Sequence, residues 1–152
     1  MKNLIILIAC CLFVSSANAV VFQIKNLCED TNYHYEEIEI LDKTTAGHLT
    51  TYVLSNNDID YIGNEHAINS ILGTPVGLDA FEVLSDTSMR VYGWCYSVNG
   101  VDPDVLSSEV QILPHSESII TWYYGYAELL KDDWISYCNP VYKDPKSFVC
   151  NK

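Results

Sequence analysis

The sequence predicts a single α+β domain in which several β-strands accompany one main helix and disulfide bonds staple the chain. Three observations support this fold class. Runs of alternating polar and apolar residues recur along the chain, one stretch has the apolar spacing of a helix, and four of the six cysteines follow residue 19. A hydrophobic content of 49% with 11 tyrosines also argues against disorder.

Residues 1–19 have the three parts of a cleavable secretion signal. Lys2 provides a positive charge, residues 4–14 form an apolar run, and Ala17-Asn18-Ala19 offers the small-x-small pattern of a cleavage site. The apolar run is shorter than the roughly 20 residues that a bilayer-spanning helix needs. We therefore expect a signal peptide at residues 1–19, a single domain at residues 20–152, and a periplasmic or secreted location.

A second interpretation of this segment is lipidation. Leu7-Ile8-Ala9-Cys10 resembles a bacterial lipobox, in which the cysteine is acylated and becomes the new N-terminus. The apolar run continues past Cys10 to Val14, which favours cleavage after Ala19 instead. Lipidation at Cys10 remains the alternative.

The first two elements after the signal are predicted to be paired strands. Residues 20–27 alternate, with Phe22 and Ile24 on the apolar side, and residues 35–41 alternate again, with Ile38 and Ile40 on one face. Turn-forming residues separate the two runs. The pattern predicts an antiparallel hairpin.

The main helix is predicted at residues 44–56. Leu49, Tyr52 and Val53 follow the spacing i, i+3, i+4, and Thr44 or Thr45 can cap the start. Residues 57–64 are expected to be irregular, and residues 65–72 to form a second short helix. Glycine and proline then break the chain between residues 73 and 77.

The second half of the chain is richer in strand patterns. Strands are predicted at residues 80–84, 90–98, 109–113, 118–126 and 132–138, followed by a tail from about residue 139 to 152. Asn99-Gly100 predicts a two-residue turn, because both residues tolerate positive φ. The strand at 118–126 carries apolar or aromatic residues on both faces, which is typical of a central strand covered on both sides.

Cys28, Cys95, Cys138 and Cys150 remain after the predicted cleavage. An even number of cysteines in an exported chain predicts two disulfides, and spacing alone leaves all three connectivities open. No CxxC pair or Cys-His cluster indicates a metal site, so no metal or required cofactor is expected.

The formal net charge of −12 bears on the partners. An acidic surface repels phosphates of nucleic acids and anionic lipid headgroups, so neither is expected as a main partner. No second apolar stretch follows the signal, so no transmembrane segment is expected.

Residues 92–100 (YGWCYSVNG) and 119–124 (IITWYY) resemble the signature of the DUF4430 family, the transcobalamin-like C-terminal domain. In that family an aromatic strand turns at Asn-Gly, and a later strand carries a tryptophan followed by aromatic residues. The presence of cysteines at positions 95 and 138 resembles a proteobacterial, exported subgroup of the family. The chain departs from the family at residues 115–118 (HSES), where Gly-Asp is usual.

The resemblance implies a β-grasp-like fold, a mixed sheet packed on one helix. It also implies ligand binding, since animal members of the family use this domain to cover one face of cobalamin. Those carriers also contain a separate helical domain, which has no counterpart here. Cys95 and Cys138 lie within the family-like core and Cys28 and Cys150 flank it. The resemblance therefore favours the pairs Cys95–Cys138 and Cys28–Cys150; the alternative is Cys138–Cys150 with Cys28–Cys95.

Aromatic residues cluster in the two family-like strands and suggest a binding face. Tyrosine and tryptophan combine apolar area with a polar tip and are common in binding surfaces. The candidate ligand-binding residues are Trp94, Tyr96, Trp122, Tyr123 and Tyr124. The competing interpretation, strongest for Trp94 and Trp122, is that they form the core.

No catalytic motif is present in the sequence. The four histidines fall outside HExxH, and no Gly-x-Ser-x-Gly elbow occurs. We therefore expect a non-catalytic binding module that holds a small molecule, a peptide or a glycan, with cobalamin as a possible ligand. The alternative is a protein that docks on another envelope or secreted protein through a sheet edge.

Overall fold

The computed structural model describes residues 19–150. Its strands are β1 (Ala19–Lys25), β2 (Asn32–Glu39), β3 (Thr44–Thr45), β4 (Tyr61–Gly63), β5 (Ile68–Ile71), β6 (Phe81–Ser85), β7 (Ser88–Val98), β8 (Gln111–Ile112), β9 (Ile119–Leu130) and β10 (Asp133–Pro140). Its helices are α1 (Ala46–Asn56), α2 (Ser147–Cys150) and a 3₁₀ turn at Gly77–Ala80. The architecture is α+β, as the sequence predicts.

The main sheet is mixed and has six strands. Its order is β2-β1-β9-β7-β6, and β10 pairs with β9 beside this path. β1 runs parallel to the first part of β9, from Ile119 to Trp122, and β10 runs antiparallel to the remainder of the same edge. β7 pairs antiparallel with β9 along its whole length, from Ser88 to Val98. The long strand β9 therefore holds the sheet together.

The two-sided burial predicted for β9 is confirmed. Every residue from Ile120 to Tyr126 is buried, so both faces of the strand are covered at its centre. We call the face against α1 the inner face and the opposite face the outer face. The inner face is the larger core, and it includes Phe22 and Ile24 of β1, which are fully buried. The predicted β1–β2 hairpin is also confirmed.

Helix α1 ends at Asn56 as the sequence predicts but begins at Ala46, two residues after the predicted start, since Thr44–Thr45 form β3 and Thr45 is the cap. The Thr45 hydroxyl accepts a hydrogen bond from the backbone N–H of His48 at 3.1 Å. The prediction that Tyr52 belongs to the buried stripe is wrong, since 51% of it is exposed. The buried face of the helix contains Leu49 and Val53 together with Thr50 and Leu54, which lie on the side away from Tyr52.

The short helix predicted at residues 65–72 is also wrong. That segment contains β5, which pairs antiparallel with β4, so the region expected to be irregular holds a strand as well. Ile68 and Ile71 have helical spacing, yet Ser70 between them is buried too. Its hydroxyl donates to the carbonyl of Thr74 at 2.8 Å, which ties β5 to the following turn.

The Asn99-Gly100 turn forms as predicted. Asn99 and Gly100 have φ values of 55° and 76°, and Val98 and Val101 exchange backbone hydrogen bonds across the turn. The strand expected at residues 109–113 is reduced to β8, which pairs with β3.

Two disulfides connect Cys28 with Cys150 and Cys95 with Cys138, which is the pairing that the family resemblance favours. The first anchors the C-terminal tail beside β1. The second joins β7 to β10 across the outer face.

The predicted signal peptide and the possible lipidation site at Cys10 lie outside the described residues, apart from Ala19, which opens β1 opposite Glu39. Among the helices of residues 19–150, none has the length and hydropathy needed to cross a membrane.

Candidate ligand-binding site

Three of the five predicted binding residues lie inside the inner core. Trp94, Trp122 and Tyr124 are buried, with exposures of 9%, 2% and 1%. The indole N–H of Trp122 donates to the Thr50 hydroxyl of α1 at 2.8 Å, and that of Trp94 donates to the Thr74 hydroxyl at 2.8 Å. Both polar groups are satisfied within the protein, so the two tryptophans act as core residues.

The other two predicted residues lie apart from each other. Tyr96 lies half-buried on the inner side, stacked on Trp122 with ring centroids 5.2 Å apart, and its hydroxyl donates to the carbonyl of Val105 at 2.8 Å. Tyr123 points to the outer face, as its register opposite Cys95 requires. The structure thus gathers four of the five on the inner side and separates Tyr123 from them.

The burial of these tyrosines predicts that the free energy of unfolding falls at alkaline pH. Burial raises the pKa of Tyr124 to about 12, above the value of about 10 for an exposed tyrosine. The stability that the neutral phenol contributes is complete below pH 10 and is lost as the pH rises toward 12. We expect the free energy of unfolding, measured with urea at pH 8 and pH 11, to fall less in Tyr124→Phe than in the wild type. An equal fall in both proteins would contradict this assignment.

The outer face is shaped by glycines at its centre. Gly93 of β7 lies directly opposite Gly125 of β9. A Cβ at Gly125 would lie 3.2 Å from the carbonyl oxygen of Asn139, so the missing side chain lets β10 cross closely above β9. A Cβ at Gly93 would meet nothing within 4 Å, which leaves an open hollow.

Strand β10 is bulged where it crosses these glycines. Its pairing with β9 shifts register between Ser136 and Asn139, and Cys138 has a φ of 50°, in the left-handed region. The Cys138–Cys95 disulfide holds this bulge on the outer face. The bulge separates two hollows, which share Tyr137 and Cys138 in their walls.

The first, which we call the apolar hollow, has a volume of about 270 Å³. Its base is formed by Val91, Gly93, Gly125 and Ala127, and no Asp, Glu, Lys or Arg lines it. Trp134 and Tyr137 of β10 form its wall, with 44% and 69% of their surfaces exposed and ring centroids 6.2 Å apart. It presents two accessible aromatic rings beside an apolar depression.

A partly exposed apolar row extends from the apolar hollow across four strands, with Met89 and Leu129 half-buried between the exposed Val83 and Trp134. Val83, Met89, Leu129 and Trp134 are successive cross-strand neighbours on the outer face. Val83 is 73% exposed.

The second, which we call the polar hollow, has a volume of about 440 Å³. Tyr123 lies in its lining, and burial together with a hydrogen bond to the Asp102 carboxylate raises the pKa of the Tyr123 phenol above its ordinary value. Tyr142 forms one wall, with its ring edge-on to Tyr123 at 6.2 Å between centroids. Lys25 and Lys143 place their ammonium groups 5.4 and 5.7 Å from the Tyr142 ring centroid.

Sequence reasoning missed most residues of these hollows. Trp134 and Tyr137 lie in the segment predicted as a last strand, and Tyr142 lies in the predicted tail, outside the two aromatic strands. The sequence feature that could have located these residues is Cys138, because its disulfide bond to Cys95 places the neighbouring aromatic residues against the sheet.

The histidines and carboxylates of residues 19–150 do not converge on a metal site. Glu65 forms a hydrogen bond with His48 at 2.8 Å, and the adjacent His66 forms one with Ser108 at 2.7 Å, so these two neighbouring residues have different partners. Across residues 19–150 no group of three or more His, Cys, Asp or Glu side chains is placed to hold a metal ion.

Comparison with known proteins adds no relative: no family model, curated protein or solved structure matches the chain.

Proposed function

We propose that this protein is an exported, non-catalytic binding module that holds its ligand on the outer face of the sheet. The observation that carries the proposal is the pair Trp134 and Tyr137, two exposed aromatic rings that flank a glycine-floored apolar depression. Exposed aromatic side chains supply binding area at a small cost in conformational entropy. Two disulfides support an oxidising, extracytoplasmic location.

We also propose that the fold is a β-grasp of the DUF4430 type. The parallel pairing of β1 with β9 at the centre of the sheet and the packing of α1 on one face support this assignment. Trp94 and Trp122, which carry the family resemblance, have structural roles here. Cobalamin is therefore tested as one candidate ligand among several.

A ligand screen with three variants tests the proposed function. The panel contains cobalamin, oligosaccharides, peptides and small aromatic compounds, with binding followed by tryptophan fluorescence and calorimetry. We expect at least one class to bind, Trp134→Ala to weaken it at least tenfold, and Gly93→Leu to block it by filling the apolar hollow. Gly93→Leu is expected to fold, because the space above Gly93 is open and φ there is ordinary for a strand.

The matched control is Tyr52→Ala, which removes an equally accessible aromatic ring from the solvent side of α1. It should leave binding unchanged. Binding that survives both Trp134→Ala and Gly93→Leu would exclude the apolar hollow, and the absence of any bound ligand would remove the support for a ligand-binding module.

The second candidate function is docking of an extended protein segment on the edge of β7. The N–H and C=O of Val98 point away from β9 to Val101, so those of Tyr92, Trp94 and Tyr96 point to the same edge. β6 pairs with β7 only as far as Val91, and an open cavity of about 510 Å³ lies beside Tyr92 and Trp94. Such an edge can accept another strand.

Hydrogen exchange separates the two candidates. Docking at the edge would be favoured by a partner that slows exchange of the Trp94 and Tyr96 amides and leaves the surroundings of Trp134 unchanged. A ligand that changes the Trp134 environment without this protection would favour the outer face.

A further inference from the structure

The polar hollow contains hydrogen-bonding groups that the fold itself leaves unused. Ser97 is a buried residue whose side chain lines the hollow. Its hydroxyl has no hydrogen-bond partner among residues 19–150. The Tyr142 hydroxyl is also without a hydrogen-bond partner in that part of the chain. Both groups can donate and accept hydrogen bonds. The hollow therefore offers bidirectional hydrogen bonding to a ligand.

The charges around the polar hollow are nearly balanced. Lys25 is already paired with Asp30 at 3.0 Å. Within residues 19–150, the Lys143 ammonium has no carboxylate at salt-bridge distance, and it lies 5.7 Å from the Tyr142 ring centroid. Asp102 also lines the hollow, and its carboxylate accepts a hydrogen bond from the Tyr123 hydroxyl. One unpaired ammonium and one carboxylate suit a ligand with many hydroxyl groups better than a multiply charged anion.

Tyrosine rings complete the walls of the hollow. Tyr142 and Tyr137 both line it, and an apolar ring face next to hydroxyl and amide groups matches a sugar ring, whose C–H face is apolar and whose edge carries hydroxyls. The volume of about 440 Å³ falls within the range of small-molecule sites, roughly 300–1,000 Å³.

We propose that the polar hollow binds a sugar residue, and that the ligand of the outer face is a carbohydrate chain. This inference rests on the proposed function and names the ligand class of the same face. Tyr137 lines both hollows, so a chain seated in the polar hollow can continue past the Cys95–Cys138 bulge toward Trp134. The two hollows are then successive subsites of one groove.

Calorimetric titration of the full exported chain with two probes tests the inference: unbranched neutral hexose oligosaccharides and an oligosaccharide of uronic acids. We expect the neutral oligosaccharides to bind more tightly than the uronic acid oligosaccharide, and Tyr142→Ala to weaken their binding at least tenfold; tighter binding of the uronic acid probe would contradict the charge argument. Ser97→Ala removes one hydroxyl with little change in volume and should weaken binding about fivefold, about 1 kcal/mol, as for loss of one hydrogen bond. Tyr52→Ala again serves as the control.

The outcomes distinguish this inference from the proposed function. If oligosaccharides bind and depend on Trp134 but not on Tyr142 or Ser97, the polar hollow is not a sugar subsite. If no carbohydrate binds while another ligand class binds in a Trp134-dependent way, the inference fails and the binding module stands. If no ligand of any class binds, both fail.

Discussion

Replacing Gly47 with alanine is expected to lower the free energy of unfolding by about 3 kcal/mol or more, the upper range for overpacking. A Cβ at Gly47 would lie 1.8 Å from the carbonyl oxygen of Glu65 and 3.0 Å from the Ser107 hydroxyl. Alanine normally stabilises a helix by about 0.5–1 kcal/mol relative to glycine. The clash exceeds this gain and reverses the sign of the effect.

The neighbours of Gly47 cannot move away easily. The Glu65 carbonyl accepts a hydrogen bond from the Ser107 hydroxyl at 2.8 Å, and the N–H of Gly47 donates to the carbonyl of Ser107 at 2.9 Å. Relief of the clash therefore requires the start of α1 to separate from two loops at once. Urea unfolding of the variant measures the loss.

Gly93→Ala is the matched control for Gly47→Ala. It adds the same methyl group in open space and should change the free energy of unfolding by no more than about 0.5 kcal/mol. A Gly47→Ala protein as stable as the control would mean that α1 does not pack closely on the loop at Glu65.

Removal of the Cys28–Cys150 disulfide is expected to cost about 2–5 kcal/mol. The bond joins residues separated by 122 positions. A chain-entropy model gives about 5 kcal/mol for a loop of that length. The bond also anchors a tail that contributes to the core, since Val141 is fully buried and Phe148 stacks on Tyr92 with ring centroids 5.2 Å apart.

Two double-alanine variants, one for each disulfide, measure this effect in urea. The Cys95–Cys138 bond spans 43 positions, and the same model gives about 4 kcal/mol for it. We expect the Cys28→Ala/Cys150→Ala protein to be the less stable of the two. A loss below about 1 kcal/mol on removing Cys28–Cys150 would contradict the role given to the tail.

The strands of the main sheet could be predicted because their patterns are local. Alternation around Phe22 and Ile24 identifies β1, and the two-sided run around Trp122 identifies the central strand. The position of α1, apart from its exact start, also followed from local features, the threonine cap and the apolar spacing. Tyr52 was misplaced because three apolar residues fix the direction of a helical stripe only loosely.

The proposed binding surface was much harder to predict, because it depends on contacts between distant segments. Burial of Trp94 depends on Thr74, and burial of Trp122 depends on Thr50, neither of which the sequence pairs with an indole. The outer hollows depend on Gly93 lying opposite Gly125 and on the crossing of β10. Aromatic content points to the two strands that line these hollows, but not to the rings that remain accessible.

Fluorine NMR of the protein labelled with 5-fluorotryptophan tests the central claim most directly. The chain has three tryptophans, of which Trp94 and Trp122 are buried and Trp134 is exposed on the outer face. Titration with a ligand identified in the screen should shift the Trp134 resonance and leave the other two in place. A ligand that shifts the Trp94 or Trp122 resonance and leaves Trp134 unchanged would contradict binding on the outer face.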